Sequence, residues 1–239
     1  MKYAVWALVG AAWFSLCSVA RADQTRVGGA LLLVNGTHAE RGATATGVLL
    51  PAPMLFIDHA SKRWVLHAEG IVGIGPQRVG NSGYGLQSVS LSYVGASARY
   101  ALTPTTALGI GETLYNQRSI YQESGFNETD SSRLAGAQYL VVQSLRRSTN
   151  GALDLTLAYN PHMTANLFRS FSNVPFEIVD AESGTQLDTM LAAHHRYRHT
   201  TLSYGIRYIN LTMHFVNGSI ADRNTFLMPF IGLSTNLGG

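Results

Sequence analysis

The sequence predicts an all-β chain folded as a single antiparallel barrel of membrane-spanning strands, about ten in number, behind a cleaved signal peptide. Three observations carry this: strict two-residue alternation of polarity, alternating segments longer than a soluble strand needs, and connections that are long and short in turn. Residues 152–160, ALDLTLAYN, put Leu153, Leu155, Leu157 and Tyr159 on one face and Ala152, Asp154, Thr156, Ala158 and Asn160 on the other. A strand satisfies that period and a helix does not. Residues 63–74, RWVLHAEGIVGI, repeat it, with Trp64, Leu66, Ala68, Gly70, Val72 and Ile74 against Arg63, Val65, His67, Glu69, Ile71 and Gly73.

The first element is residues 1–22, MKYAVWALVGAAWFSLCSVARA, with one early lysine, an apolar stretch and a closing Ala-x-Ala. This is the pattern of a secretory signal peptide, cleaved after Ala22. The barrel then occupies residues 23–239. Its strands are expected at about 25–34, 45–57, 63–74, 86–102, 106–121, 133–146, 152–160, 186–195, 199–215 and 224–235. Eight strands is the alternative, because QLDTMLAAHH (186–195) also reads as a helical turn within a loop. Several of these segments exceed the usual ~5–6 residues and reach the ~10 that a tilted membrane strand requires.

The links read NGTHAERGAT, DHASK, PQRVGNSGYG, TPT, QESGFNETDSS, RSTNG, a long stretch from about Ala165 to Thr185, RYR and NGSIADR. Long and short alternate, as in barrels with extended outer loops and tight periplasmic turns. Pro104 suits a tight turn, where a missing N–H is harmless. Pro51 and Pro53 fall inside the second strand and imply a bulge or a break there. An even strand number puts both ends of the barrel on the periplasmic side. Trp64, Tyr100, Tyr121 and Tyr159, near strand ends, fit an interfacial aromatic girdle.

Composition agrees. The chain is 46% hydrophobic and 13% charged, rich for a domain whose one cysteine, Cys17, leaves with the signal. No run after Ala22 approaches the ~20 apolar residues of a membrane helix. In hydrocarbon every backbone N–H and C=O needs a partner, and a sheet without edges supplies one for each. Without Lys2 and Arg21 the 17 basic residues become 15 against 14 acidic ones. That near-neutral balance gives no case for a nucleic-acid partner.

Faces opposite the apolar ones would point into the lumen, giving an inward set of Arg63, His67, Glu69, Arg99, Glu112, Arg118, Asp154 and Arg207. Buried charges persist when paired, so this set reads first as an interior ion-pair network filling a narrow barrel. His194, His195 and His199 flank the turn RYR. Adjacent strand histidines point to opposite faces, and no carboxylate or cysteine flanks them, so no metal and no other cofactor is expected. There is no G-x-S-x-G, no phosphate-cradling glycine loop and no H-E-x-x-H.

One stretch bears on catalysis. Residues 205–224, GIRYINLTMHFVNGSIADRN, resemble the terminal motif of the outer-membrane lipid A deacylases, the PagL or acyloxyacyl-hydrolase-like family. The resemblance implies an eight-stranded barrel cleaving an ester-linked acyl chain from lipid A with a serine nucleophile, a histidine base and an orienting glutamate. His214 falls on the base, Asn217 and Gly218 on the family's Asn-Gly, and Asn224 on its second Asn. Val216 stands at the nucleophile and Met228 at the carboxylate. Thr212, two residues before His214, shares its face and would be the replacement hydroxyl, with Asp222 as orienting acid.

The expected function is therefore a non-enzymatic bacterial outer-membrane barrel serving envelope integrity, adhesion or limited solute passage. The alternative is a lipid A ester hydrolase, in a form that has lost parts of its site. Expected partners are outer-membrane lipid and lipopolysaccharide, and the barrel assembly machinery.

Overall fold

The computed structural model describes residues 24–40, 43–47, 50–80, 87–123, 126–171, 174–179, 181–215 and 220–237. The segment read as a signal peptide lies outside them, as do Val216, Asn217 and Gly218 of the deacylase-like stretch. Twelve strand segments run in chain order: β1 (Gln24–Glu40), β2 (Ala43–Gly47), β3 (Leu50–Ser61), β4 (Trp64–Gly80), β5 (Gln87–Ala101) and β6 (Thr106–Glu123) form the first half. The second half is β7 (Phe126–Ser148), β8 (Gly151–Phe171), β9 (Val174–Val179), β10 (Ala181–Tyr197), β11 (Thr200–Phe215) and β12 (Ile220–Leu237).

These make ten barrel strands. β2 and β3 both pair β1 and both pair β4, so they are two pieces of one strand. β9 and β10 both pair β8 and form another. Every neighbouring pair is antiparallel, and β12 closes on β1 with Thr25 opposite Leu237 and Ala30 opposite Gly232. Residues 186–195 lie within β10, so the ten-stranded expectation holds and the eight-stranded alternative does not. Closure pairs the first strand with the last, so the sheet has no edge strand, which is what a lipid-embedded sheet requires.

The prolines act as their chemistry dictates. Pro51 and Pro53 pair β1, while the β3–β4 ladder begins only at Met54–Ile71. The β2–β4 ladder resumes at Gly47–Gln77, so Val72 to Pro76 have no partner on that side among the described residues. In β8, Pro161 sits in a bulge: Asn160 opposes Gln186 and Met163 opposes Gly184. The Asn160 Oδ1 accepts the His162 N–H at 3.2 Å, replacing a ladder bond that proline cannot support. Gly136 on β7 faces this bulge; a Cβ there would lie 2.9 Å from the His162 carbonyl and 3.0 Å from Met163 Cα.

The strands are longer than expected and the outer connections correspondingly shorter. Residues 165–185, expected as a long link, contribute the end of β8, all of β9 and the start of β10. The added ladder pairs Leu167 with Val179, Phe168 with Ile178 and Phe171 with Val174, so apolar residues fall at both parities and leave no two-residue alternation to read. At the other end Ser61–Trp64, Ala101–Thr106, Ser148–Gly151 and Tyr197–Thr200 are tight. Lys62 and Arg198 there adopt φ of 53° and 51°, a left-handed conformation normally left to glycine.

The polarity of the wall reverses part-way up. On β11 near the tight turn, Tyr204 and Ile206 face out while Ser203 and Arg207 are buried inside. Further along, Ile209, Leu211 and Met213 are buried inside while Asn210, Thr212 and His214 occupy the outward register. β5 does the same, from Ala98, Ala96 and Val94 outward to Ser92 and Ser90 outward over buried Leu91 and Val89. The half near the tight turns is thus an apolar-sided membrane barrel. The other half is built like a water-soluble one, with an apolar core of Leu32, Leu134, Met163, Leu211, Phe226 and Met228 among others.

Candidate functional site: the charged lumen cluster

Beneath that apolar core the inward register of five strands brings six ionisable groups into one line. Arg26 Nη2 lies 2.5 Å from Asp58 Oδ2. Asp58 Oδ1 is 2.7 Å from His67 Nδ1, and His67 Nε2 is 3.5 Å from Glu69 Oε2. Glu69 accepts from Arg207 at 2.6 and 3.0 Å, and Arg207 donates as well to Asp188 at 2.6 Å from Nη2 and 3.0 Å from Nε. With both imidazole nitrogens protonated, charge alternates in sign from Arg26 to Asp188. Such alternation, with bidentate geometry at Arg207, lets charges persist away from water.

Neutral groups seal the line. The Arg207 guanidinium sits over the Tyr93 ring, 5.0 Å from its centroid. Thr113 donates to Gln186 at 3.0 Å, and Tyr115, Gln117 and Ser119 form a chain in which the Tyr115 hydroxyl donates to Gln117 and the Gln117 amide to Ser119. The void among His67, Glu69, Tyr93, Asp188 and Arg207 is about 30 Å³, on the scale of one water. Towards the tight turns the lumen widens into a cavity of about 390 Å³ that Arg26, Arg99, Arg147, Arg196, Asp154 and His194 help to line. Arg99 Nε donates to Ser97 at 3.2 Å, and His194 lies between Ser203 Oγ at 2.8 Å and Asp154 Oδ2 at 3.6 Å.

Of the residues expected in the lumen, the structure places His67, Glu69, Arg99, Asp154 and Arg207 inside; Glu69 binds Arg207 directly, and His67 joins it through Glu69. Three are corrected. Arg63 lies in the tight Lys62–Arg63 turn, exposed, because the strand begins only at Trp64. Glu112 and Arg118 have the outward parity of β6, since Thr113, Tyr115, Gln117 and Ser119 are the buried, inward set. Arg26, Asp58 and Asp188 went unread: Asp58 falls in what reads as a link, and Asp188 in a segment that also reads as loop. Asp188 shares a face with Gln186, Met190 and Ala192, the one signal that could have found it.

The deacylase-like residues are not gathered. Thr212 and His214 have the outward register of β11, and Thr212 donates to Asn210 rather than towards His214. Asp222 lies inside, fully buried, where Ser132 and Asn224 donate to its Oδ2 at 3.4 and 3.0 Å. Asp222 pairs Met213 in register, so the strand wall separates it from His214. His195 and His194 do face opposite ways, His195 stacking on outward Tyr204 at 6.2 Å.

A closed ten-stranded antiparallel barrel with an apolar outer belt and a filled lumen defines the class: an outer-membrane-type β-barrel. Solved structures agree. The outer-membrane protease OmpT from Escherichia coli is similar over 91% of this chain and 98% of its own, with a TM-score of 0.61 at 11% identity. The translocator domain of the autotransporter NalP from Neisseria meningitidis is similar over 98% of this chain and 97% of its own, with a TM-score of 0.51 at 11% identity. Identity at this level extends the likeness to the fold alone. No known sequence family and no curated protein matches the chain, so the deacylase resemblance gains no support from either.

Proposed function

We propose that this protein is a non-enzymatic outer-membrane barrel with a sealed lumen, which contributes to envelope integrity and carries a water-soluble rim beyond the membrane. The observation that supports this best is the double closure, a charge-alternating line across the lumen with an apolar core stacked on it. Solute passage fits this geometry poorly, because hydrated solutes would have to displace paired charges and then buried methionine, leucine and aromatic side chains. The apolar belt of the lower half supports residence in the outer membrane, with the tight turns towards the periplasm.

Planar-bilayer conductance and liposome swelling test the seal; closed traces and no swelling are expected, and steady conductance by the folded barrel would overturn it. A strain lacking the protein should admit a hydrophobic dye faster than its parent. Equal uptake would remove the integrity role. The hydrolase alternative predicts lipid A that loses an acyl chain when the protein is present. Mass spectra of lipid A are expected to be identical with and without it, and unchanged by His214→Ala.

A further inference from the structure

The arginine that the lumen does not hold, Arg118, stands on the outside of the barrel beside another. Arg118 lies opposite Ser131 across the β6–β7 ladder, and Arg133 opposite Asn116. They are therefore diagonal neighbours on one face, at the ~7–8 Å spacing that long side chains span. Both are exposed, and neither meets a carboxylate among the described residues. Hydroxyls surround them: Ser90 lies opposite Arg118 on β5, and the Asn116 amide donates to Ser92 at 3.5 Å. The surface here is concave, a recess of about 380 Å³ bounded by Val72 and Ile74 on one flank and Phe168 on the other.

Height fixes what this recess meets. From Thr106 at the foot of β6 to Arg118 is a rise of about 30 Å along the barrel axis, for a strand advancing ~3.3 Å per residue at a tilt of about 40°. An apolar belt of ~25 Å ends below that. The reversal of wall polarity marks the same level independently, since Val94 and Leu114 are the last apolar outward residues of β5 and β6 before Ser92 and Asn116. The two guanidiniums thus stand at the headgroup plane of the outer leaflet, above hydrocarbon and beside exposed apolar side chains.

We infer that Arg118 and Arg133 form a docking site for the phosphate of a phosphorylated glycolipid of the outer leaflet, lipid A. Guanidiniums match phosphate oxygens in paired hydrogen bonds, the serines and Asn116 suit sugar hydroxyls, and Val72, Ile74 and Phe168 offer apolar surface to the first methylenes of acyl chains. The site rests on the proposed residence and orientation in the outer membrane, but not on the lumen being sealed. It also gives the barrel a direct hold on the lipid whose packing sets the envelope's permeability.

The test uses the folded, detergent-purified barrel with bisphosphorylated lipid A, read by native mass spectrometry. Retention is expected to fall about tenfold or more in Arg118→Gln/Arg133→Gln, since the variant loses the charge-assisted hydrogen bonds of both guanidiniums to phosphate. Arg223→Gln, an exposed arginine on the outward register of β12, should leave retention unchanged, and enzymatically dephosphorylated lipid A should bind weakly to every variant. Millimolar inorganic phosphate should not displace the lipid. Equal retention by the double variant, equal loss in Arg223→Gln, tight binding of dephosphorylated lipid A, or displacement by inorganic phosphate each overturns the site. A second measurement needs no variant: phenylglyoxal labelling of Arg118 and Arg133 should drop when bisphosphorylated lipid A is bound, and unchanged labelling counts against the site. Bilayer conductance of the double variant is expected to stay closed, so failure of the lipid site and failure of the sealed lumen are read separately.

Discussion

Arg207 and Glu69, 138 residues apart in sequence, meet across the lumen through two parallel bonds, Nη2 to Oε1 at 2.6 Å and Nη1 to Oε2 at 3.0 Å. The same guanidinium also holds Asp188, so one side chain neutralises two buried carboxylates. Arg207→Met leaves both uncompensated and is expected to destabilise the barrel by about 3–5 kcal/mol. Replacing all three, Arg207→Met with Glu69→Leu and Asp188→Leu, should recover most of that, because no buried charge then remains unpaired. Urea unfolding in detergent micelles measures both; a midpoint for Arg207→Met equal to that of the parent would deny the cluster any structural role.

Trp64 packs edge-on against Tyr100, ring centroids 5.0 Å apart, at the foot of the outward face. The sequence has three tryptophans, and Trp6 and Trp13 both lie in the segment read as signal peptide. A chain starting at Asp23 therefore carries a single indole, placed where an interfacial girdle belongs. Its fluorescence in vesicles should be quenched more by lipids brominated close to the headgroup than by lipids brominated near the chain ends. The reverse order would move the membrane belt.

Gly136 has no room for a side chain, because the β8 bulge at Pro161 brings the His162 carbonyl and Met163 against it. Gly136→Val should cost about 1–3 kcal/mol through backbone displacement. Heat-modified mobility on gels and urea midpoints would show it. An unchanged midpoint would mean that the bulge yields freely.

Leu134 is fully buried in the lumen core of the outer half. Leu134→Ala is expected to cost about 2–5 kcal/mol, and the barrel should still carry no current, since the charged line below it is untouched. Conductance appearing in this variant would show that the apolar core alone is the seal.

Arg198 holds a φ of 51° in the tight turn between β10 and β11. Arg198→Gly removes the Cβ clash of that conformation and should stabilise by about 1 kcal/mol. A fall in the urea midpoint would show that the arginine side chain has a compensating role there.

The barrel and its strand number were legible because burial against lipid imposes a period of two over many residues, as in ALDLTLAYN and RWVLHAEGIVGI. Half of the six-group lumen cluster was legible for the same reason: His67 and Glu69 alternate with Leu66, Ala68 and Gly70, and Arg207 with Ile206 and Tyr208. Glu112 and Arg118 were misplaced because polarity alone assigned their face, whereas the pairing of β6 puts both outside. The outer half was the least legible part. Its outward residues Asn210 and Thr212 look like lumen residues, and its inward Leu211 and Met213 look like lipid-facing ones, although β11 keeps one register against β12 from Thr200 to Met213. Arg26, Asp58 and Asp188 come together only through closure of the barrel, which no local pattern announces.

The interrupted ladder beside β3 makes the wall mechanically uneven. Among the described residues, the line past Pro51, Pro53 and Pro76 is held on either side of its gap, by Met54–Ile71 and by Gly47–Gln77. Thermal opening should start there, with those amides of Val72 to Gly75 that point away from β5 exchanging for deuterium before those of any neighbouring ladder. A cylinder that breathes along one line has a front and a back.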